Sequence, residues 1–583
     1  MVSKEIVLGC RYNLNPVKTK QLSIEVSTEM FEYLLFLIVV SNVFCEDVAD
    51  SRIVELPEGD VQGAKYWNGD IYEFYGVPYA TAPKGRDRFK PPLPVTARKT
   101  ILTADKQSIM CHQTFYTGED EEEIFLNGEE DCLVMNILVP LIANRTNLVP
   151  VVVYIHSGAF AGGSANMGKL HYLARLGVVA ITFNYRVGAV GFACLGTEEI
   201  PGNAGLKDQL AALKWIKKNI GRFGGDPDKI TLAGYSVGAT MAEIHALSKH
   251  TNGLFDKLIL DSGSALTPFA INRHPITTAR NIALSFGYNI TGNIKDLTEF
   301  YLNATDTDLA IKSLNFFLPN STFGFSPCIE SMENNPEPYL TESPLETLKR
   351  GDVKQLAILI GFTKMEGLSR SGQFGAWKKK MNENFAEFLP ADLIFKDVKT
   401  KEEIAKMVKH YYFKDDEVTN DKKREYVDYF SDSMFKYPII KSLMLQREIT
   451  TRPFYVYEFS YVGELSTPHH FMDTIKGATH RDQDSYIWDF YGFTKNPEDM
   501  DTRDRMTYMW TDFVKFENPT AYESDVIDTK WKVYSRQHPY YLSIDSKLEL
   551  KVDPAPESYQ FWDKLYEKYY WNPTHQKPDT IKK

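Results

Sequence analysis

The chain has 583 residues, 43% hydrophobic and 13% aromatic, with a formal net charge of −11. That composition can fill a large core, and the acidic balance argues against nucleic acid and anionic membrane surfaces as partners. No Gly/Ser or Pro-rich linker and no internal repeat divides the chain, so a single domain over residues 46–583 is expected despite the length.

The first feature along the chain is the apolar run from Tyr33 to Val40, followed by uncharged residues and then Glu46-Asp47. It reads as a signal-peptide core with cleavage near Cys45 and is too short to span a bilayer. Residues 1–45 are therefore expected to be an N-terminal extension and signal peptide, and the product to be secreted and extracellular. Met30 stands just ahead of the run, so residues 1–29 read as an extension upstream of an internal start. N-x-S/T sequons at Asn144, Asn289, Asn303 and Asn320 fit passage through a secretory pathway. The tail, Ile581-Lys582-Lys583, carries neither a lumenal retention tetrapeptide nor a hydrophobic anchor, so no stable membrane anchor is expected.

Strands and helices then alternate, which predicts a largely parallel sheet with helices on both faces. The strand Val151 to Ile155 runs into His156-Ser157-Gly158-Ala159-Phe160, and Val178 to Phe183 follows. Leu206, Leu210, Leu213, Ile216 and Ile220 recur at helical spacing. Next, the run Ile230 to Ala233, the pentapeptide Gly234-Tyr235-Ser236-Val237-Gly238 and a helical pattern on Met241, Ile244 and Leu247 make a strand, a sharp turn and a helix. A serine at such a corner has an exposed hydroxyl, and the flanking glycines leave room for the turn. Ser236 is the candidate nucleophile. It needs a base, a group to orient that base, and donors for an oxyanion. The strand Leu258 to Leu260 follows, and a further strand, Leu356 to Ile360, opens into Gly361 and then Glu366, placing that carboxylate at a strand's carboxyl end. After the strand Phe454 to Phe459 comes Gly477-Ala478-Thr479-His480. Neither one of 12 histidines nor one of 77 acidic residues means much alone; their joint position after glycine-rich turns singles them out. The chain order serine, acid, histidine is that of the α/β-hydrolase fold. Core stripes are expected at Met506, Met509, Trp510 and Phe513, and at Trp562, Leu565, Tyr566 and Tyr569.

From about residue 50 onward the chain resembles the type-B carboxylesterase/cholinesterase family, most of all its secreted insect carboxylesterases. The matching strings are Gly76-Val77-Pro78-Tyr79-Ala80, Arg88-Phe89, Pro91-Pro92, Glu130-Asp131-Cys132-Leu133, Asn184-Tyr185-Arg186, Gly191-Phe192, Pro201-Gly202-Asn203, and a block from Asp208-Gln209 to Phe223-Gly224-Gly225-Asp226-Pro227. The resemblance implies an α/β-hydrolase with Ser236, Glu366 and His480 as a triad and the N–H groups of Gly158, Ala159 and Val237 as the oxyanion hole. It implies Ser262 as the serine behind the acid, Phe269 and Tyr235 as pocket residues, and an Arg88–Glu130 ion pair. It also implies a Cys111–Cys132 disulfide, leaving Cys194 and Cys328 as buried thiols. Such a mechanism requires no metal or organic cofactor. The partner is a small ester, and the protein is expected as monomer or homodimer.

Four departures bear on this reading. Tyr235 stands where glutamate is common, Val237 replaces a usual alanine, and Met365 takes a usually acidic place before Glu366. Ser157 replaces a usual glycine, and would be strained if its backbone needed a positive φ. These departures leave a second reading, a catalytically weak or silent binding ectodomain of the same fold. Between Cys111 and Cys132 no tryptophan is present to hold a quaternary ammonium; Glu119 to Glu123 is instead an acidic, solvated run. Uncharged lipophilic esters are the expected substrates, choline esters not.

Overall fold

The computed structural model describes residues 50–571 apart from 117–123, 289–292, 314–317, 334, 415, 468–474 and 489–493. The signal-like run, Cys10, Cys45, the acidic run and Asn289 lie outside the described residues.

Eight strands carry the site: β1 (Val134–Pro140), β2 (Val149–Ile155), β3 (Val179–Phe183), β4 (Gly225–Tyr235), β5 (Lys257–Asp261), β6 (Ala357–Thr363), β7 (Phe454–Phe459) and β8 (Tyr540–Ile544). Across the sheet they run β1-β3-β2-β4-β5-β6-β7-β8, and every pair from β3 onward is parallel. β1 pairs antiparallel with β3. Antiparallel strands continue the sheet at both edges: Ser51–Val54, Val61–Lys65 and Ile71–Pro78 beyond β1, and Leu548–Val552 beyond β8. The thirteen-stranded sheet is therefore mixed, a parallel centre with antiparallel margins.

Strand periodicity divides the core into two layers. Val151, Val153 and Ile155 of β2 face one cluster, together with Leu206, Leu213, Ile216 and Ile220 of α1 (Ala204–Phe223) and Met241 and Ile244 of α2 (Val237–Leu247). Val152 and Tyr154 face the other, with Met506, Met509, Trp510 and Phe513 of α3 (Pro497–Phe516). Successive side chains of an extended strand point to opposite faces, so a strand covered by helices on both faces is apolar throughout. Every residue of β3, β5 and β6 is buried. Trp562, Leu565 and Tyr566 of α4 (Tyr559–Tyr569) join the first layer. Among the described residues no helix is long and apolar enough to cross a membrane.

Two expectations are corrected. Cys194 and Cys328 are not free thiols: they form a disulfide across 134 residues, alongside Cys111–Cys132 across 21. Gly202 lets the two sulfurs approach its backbone, since a Cβ there would lie 2.7 Å from Cys194 Sγ and 2.9 Å from Cys328 Sγ. Arg88 does not pair with Glu130. It bonds Asp306 at 3.0 Å and the carbonyls of Tyr301 and Ala304, whereas Glu130 accepts from Gly85 N. Asp306, the first residue of the helix Asp306–Lys312, takes the guanidinium instead.

Candidate active site

Ser236 sits between β4 and α2 with φ 55° and ψ −121°. A non-glycine residue in that region is strained by about 1 to 3 kcal/mol and persists only where the surroundings fix it. Here they do. Ser236 N donates to Asp261 O at 2.8 Å, and Thr240 N donates to Ser236 O at 2.9 Å. A Cβ on Gly238 would meet Ile155 O at 2.2 Å, one on Gly234 would meet Gly238 C at 2.4 Å, and one on Gly263 would meet Ser236 O at 2.1 Å. The glycines are thus demanded by close approach of three backbone segments.

β6 ends at Thr363 and the chain turns at once into Glu366, which is fully buried. Its Oε1 accepts from Thr363 N at 2.8 Å and Ser262 Oγ at 2.6 Å, and its Oε2 lies 2.5 Å from His480 Nδ1. Burial alone would raise this carboxyl's pKa, but the His480 imidazole and these hydrogen bonds together hold it below the ordinary value. The ionised carboxylate accepts Nδ1–H, which leaves Nε2 as an acceptor 2.9 Å from Ser236 Oγ. The His480 turn is anchored on the acid's turn: Met365 N donates to Ala478 O at 2.9 Å, and a Cβ on Gly477 would meet Met365 Sδ at 2.1 Å. Asp482 further pins the turn by accepting from Thr479 N and Thr467 N at 2.8 Å. The structure therefore brings Ser236, His480, Glu366 and Ser262 into one hydrogen-bonded chain.

The loop after β2 carries Gly158 and Ala159, two of the three expected donors, and the third, Val237, begins α2. Gly158 has φ 123°, Ala159 φ 53° and Phe160 φ 61°, whereas Ser157 has no positive φ. The conditional strain at Ser157 is absent; positive φ falls instead on Gly158, which tolerates it, and on Ala159 and Phe160, which do so at a cost. Among the described residues the N–H groups of Gly158, Ala159 and Val237 make no hydrogen bond. The loop is clamped from below by Gln113, whose Oε1 accepts from Gly163 N at 2.7 Å and whose Nε2 donates to Gly163 O at 2.9 Å. His156 braces it from inside, stacked at 4.1 Å on Tyr185 with Nδ1 2.8 Å from Ser157 O. Burial pushes the His156 pKa down to about 4, so it is neutral at pH 7.

A cavity of about 400 Å³ opens onto Ser236, His480, Gly158 and Ala159. Tyr154, Met167, Phe323, Phe435 and Trp488 give it apolar walls, and Tyr235 lines it with its ring 4.8 Å from that of His480. Phe269 does not reach the cavity. It is fully buried one layer behind, against Phe323 at 4.9 Å and Phe435 at 5.8 Å, and so positions the wall rather than forming it. Arg370, Arg481, Asp484 and Ser485 add polar wall. Sequence reasoning missed these, as it missed Gln483, whose Nε2 donates to Ser262 Oγ at 2.6 Å. Their only signal was position: Gln483 and Arg481 flank the candidate base in the same turn. Among the described residues no group of three or more His, Cys, Asp or Glu side chains could hold a metal ion. Asn144 and Asn303 are exposed and Asn320 is half-buried.

Residues 50–562 match the sequence model described as the Carboxylesterase family. The chain is 33% identical to Venom carboxylesterase-6 of Apis mellifera over 422 residues (70% of this chain, 74% of that one). It is 32% identical to Esterase FE4 of Myzus persicae over 512 residues (84% and 89%) and 30% identical to Juvenile hormone esterase of Tribolium castaneum over 523 (84% and 88%). The crystal structure of Juvenile Hormone Esterase from Manduca sexta, with OTFP covalently attached, superposes with a TM-score of 0.77 at 28% identity, covering 89% of this chain and all of that one.

Proposed function

This chain belongs to the carboxylesterase family and is a carboxylic ester hydrolase, and on that premise we propose that it is a secreted serine carboxylesterase cleaving uncharged lipophilic esters through an acyl-enzyme on Ser236. The observation that carries the reading is the chain Glu366–His480–Ser236, linked at 2.5 and 2.9 Å on the wall of an apolar cavity.

Ser236 Oγ attacks the ester carbonyl while His480 Nε2 takes its proton, and the Glu366 carboxylate holds the imidazole in the required tautomer and stabilises its cation. The tetrahedral oxyanion accepts from Gly158, Ala159 and Val237 N–H. Collapse expels the alcohol, which receives the proton from His480. Water, deprotonated by the same imidazole, then releases the acid and restores the serine. Each oxyanion donor in such a site is worth about 2.7 to 4 kcal/mol of barrier. That OTFP is covalently attached in the similar Manduca sexta esterase supports a covalent mechanism. Tyr154, Met167, Phe323, Phe435 and Trp488 support lipophilic substrates. Two disulfides support an oxidising compartment. On this reading residues 46–583 are one esterase domain behind a removable 1–45 segment, with Asn144, Asn289, Asn303 and Asn320 as glycan acceptors, and the protein acts as monomer or homodimer.

Rapid mixing with a p-nitrophenyl ester tests it. A burst stoichiometric with enzyme is expected, and Ser236→Ala is expected to abolish it. No burst, or one that survives the substitution, defeats the serine mechanism and leaves a non-catalytic binder of the same fold.

A further inference from the structure

His480 becomes a cation twice in each turnover, once on taking the Ser236 proton and once on deprotonating water. In the plane of the ring its two nitrogens are engaged by Glu366 and Ser236. Above and below that plane it meets aromatic rings. The centroid of Tyr235 lies 4.8 Å from that of His480 and the centroid of Phe435 4.4 Å, at tilts of 38° and 40°, nearer to stacked than to edge-on. They come from opposite sides of the sheet: Tyr235, the last residue of β4, belongs with Tyr154 to the second core layer, and Phe435 to the first. Phe435 is set by a π-helical turn, Asp432–Lys436, between the helices Lys423–Ser431 and Tyr437–Ile449, a feature frequent at functional sites. The same segment is tied to the turn that carries the acid: Gly367 N donates to Ser431 Oγ at 2.8 Å, and a Cβ on Gly367 would meet Val427 O at 2.1 Å. Phe435 and Glu366 thus share one support.

We infer that Tyr235 and Phe435 clasp the His480 imidazole and stabilise the cation it becomes, so that both are positioning residues of the reaction. The inference rests on the serine-esterase reading and adds to it a source of rate. The face of an aromatic ring is negative and attracts a cation within about 6 Å of its centroid, more strongly where water is excluded. Here the His480 side chain is 13% exposed, and Tyr235 and Phe435 are 5% and 1% exposed. The attraction grows as the proton arrives, and stabilisation realised only then raises kcat without lowering KM. Tyr235 stands where glutamate is common in the family, and its ring places negative potential beside the base without an ionised carboxyl.

Fluorination separates this role from mere packing, because each fluorine withdraws negative charge from the ring's face while hardly changing its shape. Phe435 is replaced in turn by 4-fluoro-, 3,5-difluoro- and 3,4,5-trifluorophenylalanine, and hydrolysis of p-nitrophenyl butyrate is followed. The expected result is a stepwise fall in kcat, about threefold or more across the series, with KM constant to within about twofold. Phe435→Leu and Tyr235→Leu should each cost about tenfold in kcat, and Tyr235→Phe, which keeps a ring, much less. A kcat that stays level across the fluorinated series overturns the inference whatever the leucine variants do, since the ring then acts by shape alone. A fall in kcat/KM carried by KM overturns it too, and assigns the ring to substrate contact. Either result leaves the esterase reading intact; failure of the unaltered protein to hydrolyse the ester overturns that reading itself.

Discussion

Glu366 and Asp261 are both buried carboxyls near the catalytic turn, yet their surroundings pull them in opposite directions. Glu366 is held below its ordinary value by His480, Ser262 and Thr363 against the effect of burial, so its stabilising contribution is present above the ordinary carboxyl range and is lost as pH falls through its folded pKa. Glu366→Gln keeps the shape but frees the imidazole to take the wrong tautomer, and a loss of about 10⁴ in kcat is expected from steady-state kinetics. Asp261 is raised by burial to about 7, only partly offset by hydrogen bonds from Tyr457 and Trp510. Its contribution is therefore fully present below the ordinary value of 3.8 and disappears as pH rises through 7. Asp261→Asn should flatten the fall in urea midpoint between pH 4 and 7; a slope equal to that of the unaltered protein would show that another group titrates there. Glu366 and His480 were legible in the sequence because each follows a glycine-bearing turn after a strand. Gln483 was not, since nothing in a lone glutamine tells that it bonds Ser262 Oγ.

At the scale of elements, the loop after β2 shows why a turn can be read while its mechanics cannot. His156-Ser157-Gly158-Ala159-Phe160 is recognisable as a turn after an apolar strand, and the sequence alone directs attention to strain at Ser157. Left-handed backbone instead falls on Gly158, Ala159 and Phe160. Gly158 combines φ 123° with a Cβ position 2.1 Å from Gly162 O, so Gly158→Ala cannot be accommodated without moving the donors. A fall of about 100- to 1000-fold in kcat is expected, comparable to losing one oxyanion hydrogen bond; near-normal turnover would remove this loop from the mechanism. The clamp on Gly163 comes from Gln113, 50 residues away, a pairing that no local pattern encodes. Gln113→Ala should lower kcat more than it lowers thermal stability, because it releases the loop and leaves the core untouched.

For the molecule as a whole, the parallel centre was legible because doubly covered strands are continuous apolar runs, as in Val151 to Ile155. The antiparallel margins were not: Ser51–Val54 and Leu548–Val552 are largely exposed and lack that signature. The same limit hid Cys194–Cys328, since a 134-residue separation carries no spacing signal. On the chain-entropy estimate that link contributes about 5 kcal/mol and Cys111–Cys132 about 3. Cys194→Ser with Cys328→Ser should therefore lower the denaturation midpoint more than the corresponding pair at Cys111 and Cys132. The shorter link nevertheless has the more direct line to chemistry, because Cys111 lies two residues before Gln113, whose amide grips the catalytic loop. Reductant should then silence the protein in two stages, turnover fading while the globule still holds its near-ultraviolet signature, so that the thiol balance of its surroundings acts on the reaction before it acts on the fold.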